Sequence, residues 1–215
     1  MKFVFCASGA DQPAIKDFDV QNDKEINEGE AVCLTGEKIT GAKKDGILLG
    51  VAAETHSGKT DTLNARAVGN KIRVNITQGA VYAAKAKVLT ADSGCTATSF
   101  KCTDSYFGTS VNSGKLVLKY KAPTSTNTEK IGSERTVSAC AVTSGAVTLT
   151  VSSGTAACEG DVYEYYPKIG SEMSLDADGT GFAPVNSATD VKLKTVGIDT
   201  RKSEVYFMLK NALFA

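Results

Sequence analysis

The sequence contains one histidine, His56, no tryptophan and four prolines, and its charge is balanced at 24 basic and 24 acidic residues. Each shortage narrows the function. A single imidazole excludes a metal centre built from several. Aromatics make up 7% of the chain, so stacking surface for sugars or bases is thin, with seven Tyr to supply it. A net charge of zero gives no overall field to gather phosphates or steer an acidic partner. Only four cations are arginines: Arg66, Arg73, Arg135 and Arg201. Arginine forks are the usual readers of phosphate and base edges, so no nucleic-acid partner is expected. No stretch approaches the roughly 20 apolar residues that cross a bilayer, so no membrane partner is expected either. The opening Met1-Lys2-Phe3-Val4-Phe5-Cys6 is too short for the apolar core of a signal peptide.

No two of the six cysteines, Cys6, Cys33, Cys95, Cys102, Cys140 and Cys158, are spaced as CxxC. That argues against a zinc ribbon or a thioredoxin-like site. Without an export signal they read as reduced thiols, mostly small buried apolar residues. An even count would permit three disulfides if the protein worked outside the cell.

Small residues dominate what is present: 26 Ala, 23 Thr and 20 Gly. No helical apolar period lasts more than about three turns. Period-two runs are common instead. Ile72, Val74 and Ile76 share a face, as do Leu116, Leu118 and Tyr120, then Val147, Leu149 and Val151, then Val205, Phe207 and Leu209. Short strands between turn signals predict an all-β protein with few or no helices. A small β-barrel-like or tulip-like unit followed by a second, sandwich-like β unit is expected.

The organisation along the chain is read as follows. Residues 1–27 form an N-terminal arm, with a short strand near Phe3 and Phe5 and a long loop from Asp11 to Lys24. Residues 28–92 form the first compact unit. Residues 93–215 form a second β-rich region, interrupted near 122–130 by a polar linker or exposed loop. Within it, residues 160–215 read as a degraded repeat of the first unit. Gly29 to Leu34 would match Gly170 to Leu175, Gly36 to Ala42 would match Gly179 to Ala183, and Leu49-Gly50-Val51 would match Val196-Gly197-Ile198. Ile72 to Ile76 would match Val205 to Leu209. The competing reading is that any glycine-punctuated β-protein aligns with itself this well.

Several motifs invite chemistry and are outweighed by plainer readings. Ser57-Gly58-Lys59-Thr60 looks like the end of a phosphate loop, but Ala53 stands where the first glycine is needed, so a polar hairpin tip is preferred. Asp176-Ala177-Asp178-Gly179 opens like a calcium loop, but Ser187 stands at the twelfth position, so a tight turn is preferred. His56 sits between Thr55 and Ser57 in what reads as an exposed loop, and no G-x-S-x-G nucleophile elbow is present. Glu28/Glu30, Asp161/Glu164 and Asp176/Asp178 are acid pairs of the kind glycosidases use, yet only Tyr163, Tyr165 and Tyr166 stand near any of them. Those alternating tyrosines read as core packing or a subunit interface. No catalytic residue, metal ligand or cofactor is assigned.

One pattern is more specific. Gly29-Glu30-Ala31-Val32-Cys33-Leu34 is followed by the Gly36–Ala42 hairpin, the apolar strand Ile47-Leu48-Leu49-Gly50-Val51-Ala52, a polar excursion, and Ile72-Arg73-Val74-Asn75-Ile76-Thr77-Gln78-Gly79-Ala80-Val81. Over about residues 28 to 82 this resembles the head decoration, or capsid cement, proteins of tailed bacteriophages. The resemblance implies a non-enzymatic virion protein, made in the bacterial cytoplasm and bound to the capsid exterior. It implies the major capsid protein as partner, self-association as a trimer, and stabilisation by bridging capsid subunits. It also implies an arm, Met1, Lys2, Phe3, Val4 and Phe5, that pairs with a capsid strand. On that reading, removing Met1 to Ala10 should abolish shell binding without unfolding the protein. The alternative is a surface fibre or adhesin domain binding a host glycan or protein through its Thr-rich loops and Tyr163 to Tyr166. A small hydrolase built around His56 and an acid is a third.

Overall fold

The alternating runs become strands. The computed structural model describes residues 1–7, 13–21, 24–42, 47–57, 70–104, 113–176, 178–183 and 192–210, and every regular element among them is a β-strand. In chain order they are β1 (Lys2–Cys6), β2 (Ile15–Asp19), β3 (Glu25–Ile26), β4 (Ala31–Thr35), β5 (Lys38–Gly41), β6 (Ile47–Ala52), β7 (His56–Ser57), β8 (Lys71–Asn75), β9 (Ala80–Lys85) and β10 (Lys87–Thr90). They continue as β11 (Ser99–Thr103), β12 (Gly114–Tyr120), β13 (Glu134–Thr143), β14 (Ala146–Val151), β15 (Val162–Pro167), β16 (Glu172–Leu175), β17 (Phe182–Ala183), β18 (Leu193–Asp199) and β19 (Glu204–Leu209). The protein is all-β, as the sequence pattern predicts.

The first sheet has the order β2-β8-β6-β4-β5. Its ends curl together: Val20 bridges Ile39, and the Gln21 N–H donates to the Ile39 carbonyl at 2.8 Å. Val32, Ile39, Leu49, Ile72 and Val74 fill the space enclosed. The β3–β7 pair is separate.

The second sheet has the order β10-β15-β12-β13-β14-β11. Strands β12, β13 and β14 follow one another as hairpins, and β15 returns beside β12, which is a Greek key. The sheet curls into a half-barrel whose outer strands meet. The Asp92 N–H donates to the Lys101 carbonyl at 2.8 Å, Thr103 Oγ1 donates to Asp92 at 2.9 Å, and Lys87 pairs with Asp104 at 3.2 Å. Phe100, Leu116, Leu118, Leu149 and Tyr163 are fully buried in its core. Each such side chain contributes about 1.5–3 kcal/mol of burial.

The third sheet, β1-β9-β19-β18-β16-β17, gathers strands from the start, middle and end of the chain. Ala86 alone separates β9 from β10, so the chain passes directly from this sheet into the half-barrel. Met173, Phe182, Leu193, Val205 and Phe207 join the half-barrel core as one cluster. The expected boundaries at 27/28 and 92/93 do not coincide with sheet limits: β2 pairs with β8, and β10 with β15.

The first and third sheets share an order and a register. Strands β2-β8-β6-β4-β5 correspond to β9-β19-β18-β16-β17. Ile15 faces Asn75 as Val81 faces Met208, and Lys16 faces Val74 as Tyr82 faces Phe207. Val51 faces Asn75 as Lys194 faces Met208. Val32 faces Gly50 as Met173 faces Leu193, and Leu34 faces Ile39 as Leu175 faces Phe182. The sequence match of Ile72–Ile76 with Val205–Leu209 has this same register. The match of Gly50 with Gly197 does not: Gly50 corresponds to Leu193, because β18 is longer and bulges between Thr195 and Gly197. The half-barrel, 87–167, lies between the first and second strands of the later copy.

Two local expectations change. Asp11 to Lys24, read as an arm or loop, contains β2, paired along its length with β8. Tyr120 leaves the face of Leu116 and Leu118 because β12 bulges between Leu118 and Tyr120, and it is 52% exposed.

Candidate functional site

Residues Met1 to Phe5 are brought together, but as a strand of the chain's own sheet. β1 pairs antiparallel with β9, Lys2 opposite Ala83, Phe3 opposite Tyr82 and Phe5 opposite Val81, with an irregularity at Val4. The Phe3 ring meets Tyr82 edge-on at 6.1 Å, and Val4 remains 43% exposed. The Met1 amino group donates to the carbonyls of Thr180, at 2.9 Å, and Gly29. Gly29 has φ +81°, and a Cβ there would strike the Met1 carbonyl. Burial lowers the pKa of the Met1 amine, against the opposing charges of Asp176 and Glu30. Burial pushes the Glu30 carboxyl up; the Asn27 N–H, 2.9 Å away, opposes this, and Asp178, Glu25 and Asp176 add to it.

β1 is the outermost strand of its sheet and β2 the outermost of the other. Between them lies an open cleft of about 520 Å³ whose lining includes Phe3, Pro13, Ile15, Val51 and Tyr82. Unpaired strand edges beside apolar surface are templates for another strand.

The three tyrosines lie inside the chain's own core, which is the packing branch of the sequence expectation. Tyr163, Tyr165 and Tyr166 are 0%, 1% and 0% exposed, enclosed by the chain's own packing. Tyr163 stacks edge-on with Phe100 at 5.0 Å. Tyr166 donates to Glu164, which Lys119 meets at 2.8 Å. Lys119 also donates to the Thr200 carbonyl at 2.8 Å, tying the half-barrel to the β18–β19 turn.

Sequence reasoning missed a polar cluster at one end of the half-barrel. Asp161 is fully buried and accepts from the Ala122 and Cys158 N–H groups at 3.0 Å, from Ser125 at 3.1 Å and from Asn127 at 3.1 Å. Burial pushes its pKa up, but these four donors outweigh it and hold the carboxyl below its usual range. Asn127 also donates to Tyr163 at 3.0 Å. Arg135 is 2% exposed, and its Nε donates to both oxygens of Glu129 at 3.0 and 3.1 Å. A faint signal pointed to Arg135, which shares the inward parity of Val137 in its strand. The sequence marked Asp161 only as one of an acid pair with Glu164; of its partners the Cys158 N–H is local, and Ser125 and Asn127 lie 36 and 34 residues away. Asp161 is matched to four donors and so fixes the 121–130 segment, while Arg135 meets Glu129 as an ion pair at 2.8 Å and its two terminal guanidinium nitrogens are buried without a hydrogen-bond acceptor.

The remaining candidates are placed separately. His56 Nδ1 lies 3.2 Å from the Lys24 carbonyl on the β3–β7 pair. Gly58, Lys59, Thr60 and Ser187 fall outside the described residues. Asp176 closes a turn, accepting from the Thr180 N–H at 3.0 Å. Among the described residues no three His, Cys, Asp or Glu side chains converge as metal ligands. Cys33 and Cys102 are buried and Cys95, Cys140 and Cys158 partly so, all as free thiols.

No family model matches the chain, and neither a curated protein nor a solved structure matches it.

Proposed function

We propose that this protein is a non-enzymatic structural protein of a phage head, bound to the outside of the capsid, that stabilises the shell by bridging capsid subunits. The observation that carries this reading is the open outer edge of β1 beside an apolar cleft, in the strand that the decoration-protein resemblance assigns to shell binding. Binding there is strand addition: backbone hydrogen bonds supply affinity and alternate side chains supply specificity. A cement of this kind acts by distributed burial, about 25 cal/mol per Å² of apolar area before association costs. Many copies, as trimers, add avidity. Neutral charge and free thiols agree with assembly in the bacterial cytoplasm.

The test is a copy count. Intact particles from the source lysate are denatured, and this 22.4-kDa chain is quantified against the major shell protein. One copy per shell subunit, or one per few, is expected. A handful per particle would indicate a fibre or vertex protein, and absence from particles would overturn the reading.

A further inference from the structure

The correspondence between the two sheets identifies a second strand-binding edge. In the later copy, β9 is covered on its outer side by β1 over Ala80 to Ala83. In the earlier copy the corresponding strand is β2, and the register carries Val81, Tyr82 and Ala83 onto Ile15, Lys16 and Asp17. That stretch of β2 is the outermost strand of its sheet, its three side chains are exposed, and Pro13 and Ile15 line the 520 Å³ cleft. The same framework therefore has one covered edge and, over Ile15 to Asp17, one open edge, since β5 meets this segment only further along, at Val20 and Gln21.

We propose that the outer edge of β2, centred on Lys16 and Asp17, receives an extended segment of a partner protein in the place that β1 occupies on β9. A second copy of this chain fits poorly. Each chain carries one β1, already paired with its own β9. Pairing of two β2 strands about a two-fold axis keeps residues of equal parity opposite, so Asp17 would meet Asp17, or Lys16 would meet Lys16, in the central registers. Like charges directly opposite are unfavourable. The edge instead asks for a basic residue opposite Asp17. The template shows the register: Lys2 lies opposite Ala83, the counterpart of Asp17. This assignment does not depend on the partner being a capsid protein.

The test uses the full-length protein and a synthetic peptide of residues 1–7 as the probe strand. The peptide should slow amide exchange at Ile15 to Asp17. D17K, at an exposed position, should weaken peptide binding about three- to tenfold, and a peptide carrying K2E should restore it. Retained exchange protection in β8 confirms that D17K is folded. Absence of protection at β2, or a D17K protein indifferent to the peptide's charge, would overturn the proposal. A dimer in sedimentation that D17K abolishes would also overturn it, in favour of a second copy. Loss of particle binding is scored separately: a positive peptide result with no binding to particles would sink the capsid reading and leave the edge standing.

Discussion

Asn127 Nδ2 donates to Asp161 Oδ2 at 3.1 Å beneath the barrel end, and this bond makes a polar stretch of chain part of the fold. Read as sequence, Ala122 to Lys130 is a linker; in the structure its backbone and side chains converge on one carboxylate. Asp161→Ala would strand the Ala122 and Cys158 N–H groups together with Ser125 and Asn127. A loss of about 3 kcal/mol or more is expected in denaturant unfolding, because unsatisfied buried donors cost about 1–3 kcal/mol each.

The same carboxylate sets an acid limit. Its pKa is lowered in the fold, so its contribution is fully present above the unfolded value of about 3.9. That contribution is lost as pH falls through the lower folded value, when the native carboxylate takes up a proton. Wild-type stability should fall more steeply than that of Asp161→Asn below about pH 4. Parallel pH curves for the two proteins would show that Asp161 does not titrate as described.

Arg135 and Glu129 form a buried ion pair roofed by Gly154. A Cβ at Gly154 would lie 3.1 Å from Arg135 Cζ and closer still to a Glu129 oxygen. Gly154→Ala should cost about 1–3 kcal/mol through overpacking. Glu129→Ala should cost about 3–5 kcal/mol, because it leaves a guanidinium buried without its counter-charge. If thermal melts place the Glu129 variant with ordinary surface substitutions, the pair contributes nothing to the fold.

Cys158 should be the first described cysteine to react. Hydrogen bonds from the Thr126 and Ser125 side chains, then the Thr126 N–H, lower its pKa. Burial pushes Cys95 and Cys140 up, and Cys102 up to about 12. Thiolate is the reacting form, so limited alkylation near neutral pH, read by peptide mass, should label Cys158 ahead of these three. Thr126→Val should slow that labelling. Equal labelling of Cys158 and Cys140 would contradict the shift.

The strands were legible because their signal is local. Val147, Leu149 and Val151 alternate, and all three are buried. Ile72 to Ile76 and Val205 to Leu209 matched because both sit beside a first strand in the same register. What stayed hidden depends on long-range pairing. The half-barrel inserted within the later copy moves β9 and β16 apart in sequence, so the repeat looked incomplete. β2 is polar on most of its exposed length and gave no strand signal. Tyr163 and Tyr165 lie on one face of β15 and Tyr166 on the other, and both faces are buried, by contacts such as Phe100 on Tyr163 that are distant in sequence and leave no mark on the strand's own pattern.

The position of β1 changes how its role can be tested. Deleting the first residues would remove an edge strand and uncover Tyr82, which is 1% exposed beneath Phe3. That truncation should therefore destabilise the protein by about 2 kcal/mol or more, from aromatic burial alone. The sequence expectation that the arm can be removed without unfolding is replaced by a point change. Val4 is 43% exposed at the irregularity of the open edge and pairs with nothing on β9. Val4→Lys should leave the melting temperature nearly unchanged, since surface substitutions stay within about 0.5 kcal/mol. A charged edge residue blocks strand addition, so on the proposed capsid-binding function the same variant should lose binding to shells stripped of this protein. Full binding by Val4→Lys, with the fold intact, would remove the β1 edge from the capsid interface.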